Sequence, residues 1–187
     1  MTIQEACDLL KDELLDNGYE YGFYLNGVKY RPDPALGFDA GFQRALLTDY
    51  RIQNPADTQR EKIGTCNDVA LLMKTLLASR GVPGKIWLLD YARGKKFHTI
   101  LTFQAENRVV YLELTPQSRK PWYGKKLLYT SEARLISEYR KADCELTDVT
   151  DSVRAGAAPE FILSRIGQGS STPKSSMRQL TWKKPLM

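Results

Sequence analysis

The segment from Cys66 to Arg80 constrains the fold of this 187-residue chain more than any other. Asn67 and Asp68 fall in its first turn, where the helix dipole favours polar and acidic groups. Gly81 supplies a left-handed stop, and Pro83 prevents the helix from resuming. The apolar residues between these ends recur at the spacing of an amphipathic helix, and they are Val69, Ala70, Leu72, Met73, Leu76 and Leu77. The pattern predicts a helix that begins at a cysteine and packs one face against a core.

Three strand patterns follow this helix, and they are Lys85–Tyr91, Phe97–Phe103 and Arg108–Leu114. A four-residue hairpin loop over residues 104–107 pairs Phe103 with Arg108. Counting outward from that pair sets His98 opposite Glu113. Directly opposed residues share one face of a sheet, with Cβ atoms about 5 Å apart. The order of elements predicts an α+β fold in which the cysteine helix packs on an antiparallel sheet.

The remaining patterns predict one domain with a tail. The capping box of Thr2 and Glu5 starts a helix over residues 3–16, and Asn26-Gly27 marks a hairpin. Further helices are predicted over residues 40–50, 130–142 and 151–166. We expect a domain over residues 1–166, with the N-terminal helix and hairpin in 1–50 and the core in 60–117. Residues 167–187 are basic and rich in Ser and Pro, and this composition predicts a disordered tail.

Charge, hydropathy and cysteine content exclude several classes of function. The net charge is +5, but the tail carries Lys174, Arg178, Lys183 and Lys184 and no acid, so the rest of the chain keeps only +1. We therefore expect no nucleic acid partner for the folded domain. No apolar run approaches the roughly 18 residues of a membrane span, and the N-terminus has acids where a signal peptide needs a basic stretch. These features predict a cytoplasmic protein without a membrane partner.

The three cysteines, Cys7, Cys66 and Cys144, have no metal-like spacing, and the chain holds one histidine. A zinc site is therefore not expected, and free thiols are the default in a reducing compartment. Cys7 and Cys144 fit structural positions. Cys66 differs because a helix N-terminus stabilises a thiolate, as does a nearby imidazolium.

Cys66, His98 and Glu113 together fit a thiol nucleophile with its base and an acid that orients the base. A buried structural thiol, a strand histidine bonded to the backbone and a strand acid in a salt bridge are the alternatives, and Asp90 competes with Glu113. The backbone N–H of Cys66 is a natural oxyanion-hole donor. Gln53 and Asn54 are candidates for the second oxyanion-hole donor.

The residues GTCNDVALLMKTLLASRGVP, the strand that starts at His98 and the later VYLELTP are similar to the transglutaminase-like, papain-like superfamily of cysteine enzymes. The resemblance covers roughly residues 60–117. It implies a nucleophile at Cys66, a base at His98 and an orienting acid at Glu113. The chain departs from the family pattern in two places, because Glu113 stands where Asp is usual and Thr99 replaces a frequent aromatic residue.

The resemblance implies a protease or amidase that acts on a peptide or carboxamide bond through a thioester, without a metal or organic cofactor. A peptide or protein is the expected substrate, and the oligomeric state stays open. Acyl transfer of the transglutaminase type is one alternative. A non-catalytic module that binds a peptide or protein on the same fold is the other. A basic, aromatic segment follows the third strand and contains Arg119, Lys120, Trp122, Tyr123, Lys125 and Lys126. Two interpretations of it stay open: a loop that lines a substrate groove, or a solvated loop anchored by one tryptophan.

Overall fold

The computed structural model describes residues 1–35, 37–91, 94, 96–116 and 121–168. The helices of this part are α1 Ile3–Leu14, α2 Ala40–Thr48, α3 Pro55–Glu61, α4 Cys66–Ala78, α5 Glu132–Lys141 and α6 Glu160–Gln168. The strands are β1 Glu20–Tyr21, β2 Phe23–Leu25, β3 Val28–Tyr30, β4 Ile63–Gly64, β5 Gly84–Tyr91, β6 Lys96–Ala105, β7 Arg108–Leu112, β8 Lys126–Tyr129 and β9 Cys144–Asp148. The tail predicted over residues 167–187 lies almost wholly outside the described residues.

The main sheet has five antiparallel strands in the order β8-β7-β6-β5-β9. Its centre is a meander, because β5, β6 and β7 follow one another in sequence and are neighbours in space. Two smaller ladders lie outside it, a parallel pair of β1 and β4 and an antiparallel hairpin of β2 and β3. The first of these pairs sets Tyr21 beside Gly64, two residues before α4 begins at Cys66.

Helices cover both faces of the main sheet. The face toward α4 contributes Ile86, Leu88, Leu101, Phe103 and Val110 to a core that also holds α1 and α4 side chains. The opposite face contributes Trp87, Leu89, Ile100, Val109 and Tyr111 to a second core with α5. Alternate residues of each strand therefore enter different cores, as the two-residue period of a β-strand requires. Burial of each such aliphatic side chain contributes about 1.5–3 kcal/mol to stability.

Several expectations are confirmed. The fold is α+β, and the helix that begins at Cys66 packs on an antiparallel sheet. Thr2 and Glu5 form the capping box of α1, with their backbone and side-chain groups bonded reciprocally. The hairpin turns at Asn26-Gly27, where both residues have positive φ, 50° and 85°.

The structure differs from the sequence patterns at other elements. The helix predicted over residues 151–166 is wrong in its first half, because turns occupy that stretch and α6 begins only at Glu160. Gly156 with φ of 79° and Pro159 interrupt helical geometry before that point. The patterns also missed α3, which Asn54 caps and Pro55 starts, and the edge strands β8 and β9. Short edge strands carry little hydrophobic periodicity by which to recognise them.

The pairing of β6 with β7 corrects the predicted register. The turn contains only Glu106 and Asn107, with φ of 49° and 57°, so Ala105 pairs with Arg108. Phe103 therefore pairs with Val110 and not with Arg108. The register moves by two residues, and His98 and Glu113 are not directly opposed. An even shift keeps every side chain on its original face, so the two residues stay on one face.

In the described part of the chain, no helix is both long enough and apolar enough to cross a membrane. Its longest helix is α4, with 13 residues. A bilayer-spanning helix needs about 20 residues.

Candidate active site

Cys66 is the first residue of α4 and is 9% exposed. Thr65 holds the N-cap position with extended backbone angles. The helix therefore starts with its dipole directed at the thiol, which favours a negative charge on sulfur. A cavity borders Cys66 on the side that faces the sheet.

His98 lies in β6, is 5% exposed and reaches Glu113. Its Nε2 and the Oε2 atom of Glu113 are 2.8 Å apart. A carboxylate oxygen accepts a hydrogen bond, so Nε2 carries the proton that it donates. In the neutral ring, this arrangement leaves the lone pair on Nδ1. The pair has the geometry of a base and its orienting acid.

Glu113 follows β7 directly, is 2% exposed and is held at both carboxylate oxygens. Tyr111 donates its hydroxyl to Oε2 at 2.6 Å, and the backbone N–H of Thr115 donates to Oε1 at 2.9 Å. The backbone carbonyl of Glu113 accepts from the N–H of Gly124 at 2.9 Å. Hydrogen bonds from several donors compensate the burial of a carboxylate and fix its direction. The extra methylene of Glu relative to Asp therefore does not keep the carboxylate from the histidine.

Strands β6 and β7 are no longer paired next to His98 and Glu113. The ladder between β6 and β7 ends at the pair Thr102–Tyr111, and β7 goes on against β8 with Leu112 opposite Lys126. The cavity lies at this opening, between the first turns of α4, residues 99–101 of β6 and residues 111–115. Cys66 and Glu113 both line it.

A side-chain bond fixes the first turn of α4 against β6. Thr99 donates its hydroxyl to the Oδ1 atom of Asn67 at 2.7 Å, and both residues are buried. Asn67 follows Cys66 and Thr99 follows His98 in the sequence. The bond therefore joins the immediate neighbours of the predicted nucleophile and the predicted base. Thr99 stands where an aromatic residue is frequent in the family that the sequence resembles. Here it has a structural role at this contact.

Asp68 is a buried carboxylate in the first turn of α4, with 0% exposure. Burial raises its pKa to about 6, although hydrogen bonds from Gln53, Thr65 and Tyr50 act in the opposite direction. The sequence suggested only a helix-dipole role for this residue. The signal that identifies it is the spacing Thr65-x-x-Asp68, a variant of the capping box.

The competing residues have other partners. Asp90 accepts from the backbone N–H of Gly94 at 2.6 Å and from Arg165 at 3.2 Å. Gln53 donates its side-chain amide to Thr58 at 3.1 Å and to the carbonyl of Ile63 at 2.8 Å. These contacts give Asp90 and Gln53 structural roles.

Asn54, the other candidate for the second oxyanion-hole donor, caps α3. Tyr111 is a site residue that the sequence analysis missed. It lies two residues before Glu113 on the same face of the chain, so strand alternation contained the signal.

The basic aromatic loop is only partly within the described residues, and Arg119 and Lys120 lie outside them. Trp122 is buried in the second core, and Lys126 in β8 donates to the side chain of Gln4 at 2.9 Å. Tyr123 is half-buried, and Lys125 is exposed. The described part of this loop therefore contains one anchoring tryptophan together with half-buried and exposed residues.

The other two cysteines are buried thiols. Burial raises the pKa of Cys7, and it raises the pKa of Cys144 to about 12. Such thiols are poor nucleophiles at neutral pH. Among the described residues, no group of three His, Cys, Asp or Glu side chains is arranged to hold a metal ion.

Comparison with known proteins gives structural neighbours. No protein-family model matches the chain, and no curated protein matches it significantly. The solved structure of LapG from Legionella pneumophila is 16% identical, with a TM-score of 0.45 over 87% of this chain and 77% of LapG. Its EGTA-treated form gives a TM-score of 0.42 at 16% identity, over 87% of this chain and 78% of that one.

A candidate cysteine protease from Cytophaga hutchinsonii is also similar in structure. It is 14% identical, with a TM-score of 0.35 over 77% of this chain and 46% of its own length. The present chain thus spans less than half of that protein.

Proposed function

We propose that this protein is a cysteine-nucleophile hydrolase that cleaves peptide or carboxamide bonds. Cys66 is the nucleophile, His98 is the general base and Glu113 orients the base. The observation that carries the proposal is the hydrogen bond of 2.8 Å from His98 Nε2 to Glu113. It assigns the proton to Nε2 and the basic lone pair to Nδ1, which is the protonation state that a general base requires.

The reaction begins when Nδ1 of His98 takes the proton of the Cys66 thiol. The sulfur then attacks the carbonyl carbon of the substrate, and the backbone N–H of Cys66 donates to the oxyanion. The C–N bond breaks, His98 returns the proton to the leaving amine, and a thioester remains on Cys66. Water attacks the thioester with His98 again as base, so that a carboxylic acid leaves and the thiol is restored. Glu113 stabilises the imidazolium at each proton transfer without changing its own protonation.

The position of Cys66 supports the same proposal. It starts α4, so the helix dipole stabilises the thiolate, and it shares a cavity with Glu113. The hydroxyl of Thr99 bonded to Asn67 holds β6 beside the start of α4. A purely structural thiol does not need a histidine and an oriented carboxylate in buried positions beside its helix.

An activated ester tests the proposal without knowledge of the natural substrate. With p-nitrophenyl acetate, we expect a burst of p-nitrophenol and an acetyl group on Cys66 in the mass spectrum of the peptide that contains it. Cys66→Ser and His98→Ala should abolish the burst, while Cys144→Ser, a matched loss of a buried thiol, should retain it. A wild-type protein without a burst, whose Cys66 reacts with iodoacetamide no faster than a free cysteine, refutes the proposal and favours the binding module.

The fate of the acetyl group separates hydrolysis from transfer. Decay of acetyl-Cys66 at a rate independent of added glycine ethyl ester supports the hydrolase. Decay that the amine accelerates, with acetylated amine as product, identifies the transglutaminase-type alternative.

A further inference from the structure

The carboxylate of Asp68 accepts four hydrogen bonds in the interior beside Cys66. Two reach Oδ1, from the hydroxyl of Tyr50 at 2.8 Å and from the backbone N–H of Gln53 at 2.7 Å. Two reach Oδ2, from the backbone N–H of Thr65 at 2.7 Å and from its hydroxyl at 2.9 Å. A carboxylate has about four lone-pair positions, so these bonds use its full acceptor capacity.

The four donors come from two parts of the chain. Tyr50 and Gln53 belong to the segment between α2 and α3, whereas Thr65 is the residue before Cys66. The hydroxyls of Tyr50 and Thr65 also contact each other at 2.7 Å, which closes a triangle with Asp68. The carboxylate thus ties the residue that precedes the nucleophile to a separate, buried segment.

We propose that Asp68 is a positioning residue for Cys66, because its carboxylate fixes the N-cap residue Thr65 and thereby the direction in which the first turn of α4 presents the thiol. The proposal rests on the proposed function, since it assumes that Cys66 is the nucleophile. Asp68 touches neither the substrate nor the reacting atoms and acts through Thr65. Misplacement of reacting groups by about 1 Å is enough to cost on the order of 10²-fold in rate.

Only aspartate satisfies this position. Asparagine keeps one acceptor oxygen, and its amide would face either the two donors of Thr65 or those of Gln53 and Tyr50. Glutamate has one more methylene, so its carboxylate would not lie where these four donors converge. A Cβ built on Gly64 would lie 3.1 Å from Cβ of Asp68, so the glycine lets the backbone before Thr65 run close to this side chain.

The test compares Asp68→Asn with Glu138→Gln, a matched loss of a buried carboxylate on α5. The first readout is native-state hydrogen exchange of the amides of residues 66–69. We expect Asp68→Asn to raise their exchange by at least about tenfold relative to residues 72–77 of the same helix, because the cap of the first turn is lost. Glu138→Gln should leave this ratio unchanged.

The second readout is the rate of Cys66 alkylation by iodoacetamide against pH. In Asp68→Asn, the loss of a nearby negative charge alone would move the midpoint down, whereas the loss of the aligned helix start moves it up, and the proposal expects a net rise of about one unit. Glu138→Gln should keep the wild-type midpoint. Asp68→Asn and Glu138→Gln are both expected to destabilise the fold. A change of midpoint in Asp68→Asn alone therefore reports positioning of Cys66 and not general destabilisation.

A folded Asp68→Asn protein with either the wild-type exchange ratio or the wild-type midpoint overturns the role of Asp68. If Asp68→Asn does not fold, Thr65→Val replaces it, because that change removes only the hydroxyl of Thr65, which bonds to Asp68 and contacts Tyr50. It should move both readouts in the same direction, and unchanged values overturn the proposal equally. Failure of the proposed function has a different signature, namely a wild-type Cys66 that reacts like a free cysteine while the exchange ratio still responds to Asp68.

Discussion

Tyr111 and His98 donate to the same oxygen of Glu113, at 2.6 and 2.8 Å. Tyr111 belongs to β7 and His98 to β6, and the ladder between these strands has ended before it reaches His98. The carboxylate therefore joins the two strands where backbone bonds no longer do. This relationship gives Glu113 a structural role in addition to the chemical role that we propose for it, and the first two predictions separate the two roles.

Glu113→Gln should reduce the burst rate with p-nitrophenyl acetate by about 10³- to 10⁴-fold, the scale on which the wrong histidine tautomer acts in a serine protease triad. The amide nitrogen of Gln is a donor and no longer requires a proton on Nε2. Stopped-flow absorbance measures the burst, and circular dichroism verifies folding. A folded Glu113→Gln protein with a wild-type burst would show that the carboxylate does not orient the base.

Tyr111→Phe should reduce the burst rate by less than about tenfold, because the bond from His98 and that from the Thr115 N–H remain. Loss of one hydrogen bond to a buried charged group should cost about 1.5–3 kcal/mol of stability. Urea unfolding and the burst assay check the two effects on one preparation. A loss as large as that of Glu113→Gln would instead make Tyr111 a direct participant.

The main parts of the site were predictable because strong local signals coincide there. The helix from Cys66 combines periodic apolar residues with a clear stop at Gly81, and its observed end at Ala78 lies close to the prediction. His98 and Glu113 were assigned to one face, and they remain on one face despite the wrong register. Strand alternation has a period of two, so an error of two residues leaves the face unchanged.

Other parts were not predictable, for identifiable reasons. The turn at Glu106 and Asn107 lacks the glycine that marks most two-residue hairpin turns, so the sequence does not indicate its length. The bonds from Tyr50 and Gln53 to Asp68 join residues 18 and 15 positions apart. Such a contact depends on tertiary packing, and no local pattern reports it.

Asn107→Ala tests the corrected turn. Asn107 has a φ of 57°, a left-handed conformation that asparagine tolerates better than alanine. We expect Asn107→Ala to lower the free energy of unfolding by about 1 kcal/mol, with Asn107→Gly equal to the wild type or slightly more stable. Denaturant unfolding measures both. Equal stability of the alanine and glycine variants would contradict the two-residue turn.

Alkylation of the native protein should occur at one cysteine. Burial raises the pKa of Cys7 and raises that of Cys144 to about 12, so neither is an appreciable thiolate near pH 7.5. Mass spectrometry after brief iodoacetamide treatment should find one adduct per chain, on Cys66, and none in Cys66→Ser. All three thiols should react in guanidinium chloride. Equal native labelling of Cys144 and Cys66 would remove the distinction on which the nucleophile assignment depends.

The pH dependence of stability should report the burial of Asp68. Its pKa is about 6 in the folded protein against about 4 in an unfolded chain, so between these values the folded state holds a proton that the unfolded chain has lost. Stability from this group is therefore full below pH 4 and falls as the pH rises through 6, by about 3 kcal/mol. Tyr50, which contacts Asp68, has a pKa well above 10 and does not titrate in this window.

Urea unfolding from pH 4 to 7 measures this effect. The difference in free energy of unfolding between the wild type and Asp68→Asn should shrink by that amount as the pH rises, while Glu138→Gln accounts for the loss of a buried carboxylate elsewhere. A difference that stays constant across this range would mean that the four hydrogen bonds outweigh burial and keep Asp68 ionised throughout.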